Sequence, residues 1–398
     1  MRELGSAGSS EDGPVFVGDG RYELIRHLGS GGMGDVVAAR DVRLDRRVAL
    51  KFLGAARLTG ATPGSERHIR ALELFVREGH TMARVDHTYV ATIYDCDVGG
   101  ADPFLVMEHV DGRPLTEYVG GDPLLLEQTV RWSGQIAEGL AAAHREGVMH
   151  RDIKPANILI THDNSEVRII DFGLARFADA TESHTDMGTP LYRSPERCRF
   201  ESGDERSDLY SLGCVMYEMV TGWPPFGDRH SDAAALAKEH QHRSPVRPAR
   251  QVPDVPDALD GLIMALLAKN PADRPQNAHA VVRALQEVER TLEAMAAKRR
   301  LVSGHTAPQV DAGFTERIRV TEKRVRRLTL QFGPAHGETL AARSELAELT
   351  GESGDERGAM ELYEQMGRDC QRRYGPHDHR ALDAFEKMTR WIEGGYER

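Results

Sequence analysis

The chain has 398 residues, 40% of them hydrophobic, which is more than one ordinary domain needs and enough to bury a substantial core. A formal charge of −11 excludes a general nucleic-acid binder, which needs a basic surface to release phosphate counterions. Cys96, Cys198, Cys214 and Cys370 stand far apart with no Cys-x-x-Cys pair, and no window approaches the ~20 apolar residues of a membrane span, so a soluble protein of a reducing cytoplasm is expected.

Residues 1–20 are rich in Gly, Ser and acidic residues without apolar periodicity and read as a flexible leader. Folding is expected from Tyr22, with strands over Tyr22 to Leu28 and Val36 to Arg40. Between them lies Gly29-Ser30-Gly31-Gly32-Met33-Gly34-Asp35-Val36, a Gly-x-Gly-x-x-Gly-x-Val run. Alone it fits a dinucleotide fingerprint or a plain hairpin turn. The fingerprint requires a helix directly after the glycines, whereas here a strand follows, which suits a loop folded over phosphates.

Val48-Ala49-Leu50-Lys51 is an apolar strand ending in a cation, followed by a Gly- and Thr-rich insert over Leu58 to Ser65. A helix is expected over Leu72 to Arg84; Gly79 inside it costs ~1 kcal/mol relative to Ala and predicts a mobile helix. Phe104-Leu105-Val106-Met107 reads as a buried strand running into Glu108-His109-Val110 and the turn Asp111-Gly112. Leu126 to Glu146 carries small apolar residues at helical spacing and delivers the chain to His150-Arg151-Asp152-Ile153-Lys154-Pro155-Ala156-Asn157, with Asp171-Phe172-Gly173 shortly after. Phosphoryl transfer to a hydroxyl needs a carboxylate at the attacking oxygen, metal ions on the phosphates and positive charge on the transferred group. Asp152, Asn157, Asp171 and Lys154 are the residue types for those tasks.

Taken in order, the glycine run, Lys51, the catalytic-type loop, Asp171-Phe172-Gly173, Ser194-Pro195-Glu196, Asp208 and Arg274 resemble the bacterial, eukaryotic-like serine/threonine protein kinases. The resemblance implies an α+β fold of two lobes over residues 21–290. It implies ATP and Mg²⁺ as cofactors, and transfer of the γ-phosphate to Ser or Thr of protein substrates. On this mapping Asp152 orients the hydroxyl and takes its proton, Lys154 assists, and Asn157 and Asp171 hold the metal. Lys51 pairs the α and β phosphates and is held by Glu78, with Glu73 as the competing glutamate. Leu28, Gly29, Ser30, Gly31, Gly32, Met33 and Gly34 cover the nucleotide; Val36, Ala49 and Leu159 sandwich the adenine; Met107 guards the pocket behind it, and Glu108 and Val110 offer backbone groups to its edge.

The mapping further implies that Arg151 receives a phosphate from the activation segment, with Thr181, Ser183 and Thr185 as acceptors, while Thr189 bonds the catalytic loop. Asp208 braces that loop and Arg274 pairs Glu196. Ser194 stands where the family usually has Ala. Lys154 followed by Pro-Ala-Asn resembles the serine/threonine rather than the tyrosine enzymes. A kinase-shaped scaffold without activity is the competing class, and it normally lacks one of Lys51, Asp152, Asn157 or Asp171, all present here.

Residues 291–312 read as a linker. Beyond it Phe332-Gly333-Pro334-Ala335-His336 returns as Tyr374-Gly375-Pro376-His377-Asp378-His379, 42 positions on, with Leu340 answered by Leu382. This period, with Leu346, Ala347, Ala359, Leu362 and Tyr363 at helical spacing, resembles tetratricopeptide repeats of the longer type over residues 313–393. Such an all-α array implies a protein partner, or pairing of two chains.

Overall fold

The computed structural model describes residues 14–31, 34–52, 65–100, 102–121, 123–162, 165–172, 190–227, 232–302, 333–353, 356–375 and 378–394, with parts of 317–329. Gly32, Met33 and residues 173–189, which include Thr181, Ser183, Thr185 and Thr189, lie outside them. Contacts divide the chain into two compact units, 1–294 and 295–398.

The first unit opens with a sheet. Strands β1 (Phe16–Val17), β2 (Tyr22–Gly31), β3 (Gly34–Asp41) and β4 (Arg46–Phe52) are followed by helix α1 (Glu66–Met82), then β5 (Ile93–Asp97) and β6 (Phe104–Glu108). The sheet order is β1-β2-β3-β4-β6-β5. β1 corrects the expected leader, because Phe16 and Val17 pair with Glu23 and Tyr22. Strand alternation sorts the side chains onto two faces. Val37, Ala39, Val48, Leu50, Phe52, Phe104 and Val106 close one cluster with Tyr22. Ala49 and Met107 point the other way into the main core, with Val36 packed against it. Lys51, two residues from Ala49, shares that second face.

Helix α1 begins six residues earlier than expected and buries Phe75, Glu78, Gly79 and Met82, an i, i+3, i+4, i+7 stripe. Gly79 does not loosen it. A Cβ there would sit 3.0 Å from Leu105 Cδ2 and 3.9 Å from Cys96, so the glycine lets the helix backbone lie close on β5 and β6.

The second part of this unit is helical around a small sheet: β7 (Gly112–Pro114), α2 (Leu126–Arg145), β8 (Ile158–Thr161), β9 (Val167–Ile169), α3 (Pro195–Cys198), α4 (Arg206–Thr221), α5 (Ala233–His242), α6 (Asp257–Leu266) and α7 (Ala278–Val302). Every residue of α4 after Arg206 is buried, so it forms the axis of this lobe, and it stops at Gly222, whose φ of +83° suits the left-handed cap. Ala91 donates to Ile169 O at 2.9 Å and Ile169 to Tyr89 O at 2.8 Å, fastening the stretch between α1 and β5 to β9.

In the second unit α8 (Gly337–Glu352), α9 (Glu356–Tyr374) and α10 (His379–Gly394) pack in sequence. Ala347, Tyr363, Met366 and Ala384 form their core, with Leu340 and Leu362 against it. The repeated Gly-Pro segments precede α8 and α10: Gly333 and Gly375 have φ of +89° and +98°, and His336 and Asp378 accept from Glu338 N and Arg380 N at the two helix starts. No helix among the described residues is long and apolar enough to cross a membrane.

Candidate active site

The catalytic-type loop hangs from one buried carboxylate. Asp208, in the first turn of α4, accepts from Arg151 N at 2.7 Å, from His150 N at 2.8 Å and from His144 Nε2 at 2.9 Å. Burial opposes its charge, but the His144 bond, the nearby imidazoles and the Arg151 N–H outweigh that and hold its pKa below the usual carboxylate value. These bonds keep Arg151 at φ +66°, a left-handed conformation uncommon for a side chain of that size.

His150 is fully buried, and burial pulls its pKa down, so it is neutral. Its Nδ1 accepts from Asp152 N at 3.2 Å, which leaves Nε2–H to donate to Ile170 O at 2.9 Å. The ring packs on Phe172 with centroids 4.5 Å apart. One histidine thus joins the loop bearing Asp152 to the segment bearing Asp171, and Ile170 N adds a bond to Asn157 O at 3.0 Å.

Around Asp152 the expected residues converge. Lys154 Nζ lies 2.7 Å from Asp152 Oδ2, and Asn157 Nδ2 donates to the same oxygen at 3.0 Å and to the Asp152 carbonyl at 2.8 Å. About a third of the Asp152 side chain remains exposed, so a substrate hydroxyl can reach it. With its amide nitrogen engaged, Asn157 has Oδ1 left to offer. Asp171, at φ +67°, binds Lys51 Nζ at 2.7 Å through Oδ2, leaving Oδ1. These hard oxygens suit Mg²⁺, which takes one or two carboxylate-type ligands and keeps water and phosphate for the rest.

The roof differs from expectation at one contact. Lys51 gives its ion pair to Asp171, whereas the Glu78 carboxylate lies 4.0 Å from Arg77; a Lys51–Glu78 pair is not among the ion pairs of the described residues. Glu78 is nonetheless on the buried stripe of α1, and Glu73 on its exposed side.

At the hinge, Met107 is buried, and the apolar pocket behind it is lined by Met82, Val85, Val90, Ile93 and Phe172, with Asp171 at its polar end. Glu108 N donates to Thr92 O at 2.8 Å, so an adenine edge would meet the Glu108 carbonyl rather than its N–H. The Glu108 side chain turns back to Thr92 N at 3.2 Å and Arg168 Nε at 3.5 Å. Val110 is half-buried beyond it, and Leu159 in β8 is partly covered across the cleft. Leu28 is 38% exposed, and Gly29, Ser30 and Gly31 follow it to the end of β2.

Beyond the cleft, Arg274 makes a two-pronged pair with Glu196 at 2.7 and 2.8 Å, and Ser207 Oγ donates to the same carboxylate at 2.6 Å. Burial opposes this charge, but the bonds from Arg274 and Ser207 win and bring its pKa down to about 2. Tyr192 OH donates to buried Glu218 at 2.7 Å, fixing the chain just before Ser194. Sequence reasoning missed His144, Thr92 and Glu218. His144 carries a weak signal, in the last turn of α2 and six residues before His150; Thr92 carries none, because its carbonyl does the binding.

A protein kinase domain model matches residues 22–285. The serine/threonine-protein kinase PknB of Mycolicibacterium smegmatis is 41% identical over 276 residues, covering 67% of this chain and 42% of that protein. The probable serine/threonine-protein kinase PknB of Corynebacterium glutamicum is 35% identical over 317 residues, 76% of this chain and 47% of its own length. Serine/threonine-protein kinase Pkn1 of Myxococcus xanthus is 37% identical over 288 residues, 70% and 39%. The chain thus spans less than half the length of these curated relatives. The family match starts at β2, runs through every residue assembled above and ends inside α7, and the chain belongs to the protein kinase family.

Proposed function

We propose that the protein transfers the γ-phosphate of ATP to Ser or Thr hydroxyls of protein substrates. The observation that carries this reading is the convergence of Lys154 and Asn157 on Asp152, with the Lys51–Asp171 pair on the opposite wall. Asp152 orients the incoming hydroxyl and accepts its proton, while Lys154 offers its ammonium to the transferred phosphoryl group. Lys51, on the roof, meets the α and β phosphates, and the Glu108 carbonyl and Val110 backbone meet the adenine edge. Mg²⁺ at Asn157 and Asp171 supplies charge neutralisation on the phosphates. The Lys154-Pro155-Ala156-Asn157 run and the relatives' names favour Ser and Thr as acceptors.

The test is incubation with labelled ATP and Mg²⁺, alone and with a generic basic protein. Wild type incorporates label; Asp152→Asn and Asp171→Ala lose it by at least about 100-fold while keeping the fold. Incorporation at wild-type rates in either variant sinks the mechanism.

Activation is part of the same reading. Arg151 stands beside Asp152 on a fixed backbone, and a phosphate on Thr181, Ser183 or Thr185 would pair with it and order the intervening chain. Mass spectrometry that finds no phosphate between Ala178 and Met187 of autophosphorylated protein removes this step. The second unit serves as a tetratricopeptide-like platform for a protein partner; stopping the chain after Arg300 leaves phosphorylation of a generic substrate intact and removes that partner from a pull-down. An unchanged partner list counts against the platform.

A further inference from the structure

The glycine run carries a polar cluster that phosphate binding itself does not require. Ser30 Oγ donates to Asp35 Oδ1 at 2.6 Å. That commits the single hydroxyl proton, so His27 Nε2, 3.1 Å from the same oxygen, is the donor in the other contact, and it lies 3.6 Å from Asp35 Oδ1.

Strand geometry shows why these three meet. Residues three apart on a regular strand point to opposite faces, so His27 and Ser30 should be separated by the sheet. The register moves from His27↔Val37 to Gly29↔Val36, which makes Leu28 an extra residue on β2. One extra residue reverses the alternation and returns Ser30 to the side of His27. Ser30 is then the direct cross-strand partner of Asp35. Asp35 shares its face with Val37, which belongs to the outer cluster, whereas Val36 packs toward the cleft. The cluster therefore lies on the outer face of the hairpin and leaves the inner face to a nucleotide.

We propose that His27, Ser30 and Asp35 form a clasp that holds β2 and β3 in register up to Gly31 and Gly34, and that His27 and Asp35 are positioning residues for the ATP phosphates. This rests on the kinase reading above. Gly29, Gly31 and Gly34 lack side chains that could pack or pair, so side-chain fixation of the strand ends comes from the clasp. Its members are partly exposed, at 39% for the His27 side chain and 34% for Asp35, so the effect is modest.

The experiment measures ATP and adenosine affinity separately, by calorimetry, together with KM for ATP and kcat. His27→Ala and Asp35→Ala are each expected to weaken ATP about threefold, leave adenosine unchanged, and raise KM without lowering kcat. The double variant loses less than the sum of the two single ones, because both act through Ser30. Asp35→Asn and His27→Gln, which keep an acceptor and a donor for that hydroxyl, restore most of the loss. Equal weakening of ATP and adenosine, or no change in either, overturns the clasp. If wild-type protein binds no ATP at all, the kinase reading falls and this inference with it.

Discussion

The floor and the roof of the cleft are built on different principles. The floor is overdetermined: Asp208 fixes two backbone N–H groups and His144, His150 links the catalytic loop to the segment of Asp171, and Glu196 is locked by Arg274 and Ser207. The roof is held more lightly at its hairpin. Lys51 has taken Asp171 as its partner, the hairpin is joined by partly exposed polar groups, and α1 rests on the sheet through a glycine. Buried, doubly bonded groups confer the fixed geometry that the proposed proton transfer needs; the partly exposed polar groups of the hairpin give way more readily, as the proposed entry and departure of a nucleotide requires.

The comparison breaks most readily at the floor. Arg274→Met removes the guanidinium and leaves Glu196 charged and buried, an expected loss of about 3–5 kcal/mol in urea unfolding. A loss under 1 kcal/mol would mean that the floor is no firmer than the roof.

Asp208→Asn is expected to be next in size. One carboxylate oxygen becomes an amide that faces N–H donors, costing about 1–3 kcal/mol and lowering phosphorylation about 10- to 100-fold. Steady-state kinetics beside denaturation would show whether the loop is displaced or merely weakened.

Acid should find the floor too. His240 is fully buried, accepts the Tyr210 hydroxyl at 2.9 Å, and is brought from 6.5 to about 3 by burial and the nearby Lys269 charge. A buried neutral imidazole lets the unfolded chain bind the proton first. Its contribution is complete above pH 6.5 and declines as pH falls toward about 3. Glu196, lowered from 4.5 to about 2, contributes fully above pH 4.5 and loses that as pH falls through about 2. Stability is expected to fall from pH 6.5 downward, and His240→Gln, which keeps an acceptor for Tyr210, to lessen the slope above pH 4.5, where buried His150 still contributes. Urea unfolding across that range checks both.

Gly79→Ala tests the roof and carries the smallest effect. The helix gains ~1 kcal/mol in propensity, but the new methyl would sit 3.0 Å from Leu105 Cδ2, so that fully buried side chain must shift within its packing. A net loss of about 1 kcal/mol is expected; a gain would show that α1 can lift from the sheet.

The floor was also the more legible part. Asp152, Lys154 and Asn157 lie within six residues, so their proximity is nearly a local property, and Asp208 sits in a run whose position on a buried helix could be read. The roof depends on contacts between distant segments. The partner of Lys51 is decided by the distance across the cleft to Asp171, which no spacing encodes. β1 was hidden because Phe16 and Val17 sit among Gly, Ser and acidic residues, and only the neighbouring strand makes them extended. Gly79 was read by propensity as a weakness, when close packing is its reason. The clasp escaped notice because the extra residue at Leu28 reverses the alternation on which strand reading relies.

The fastening of Tyr89 and Ala91 to Ile169 has a mechanical meaning. Two main-chain bonds join the lobes at the rear of the cleft, and Gly139 of α2 lets that joint seat closely, since a Cβ there would strike Ile169 Cδ1 at 2.8 Å and approach Tyr89 O at 3.4 Å. Ile169 is two residues from Asp171. The joint therefore lies close to Asp171, so any tilt of the upper lobe about it would displace Asp171 less than the glycine hairpin.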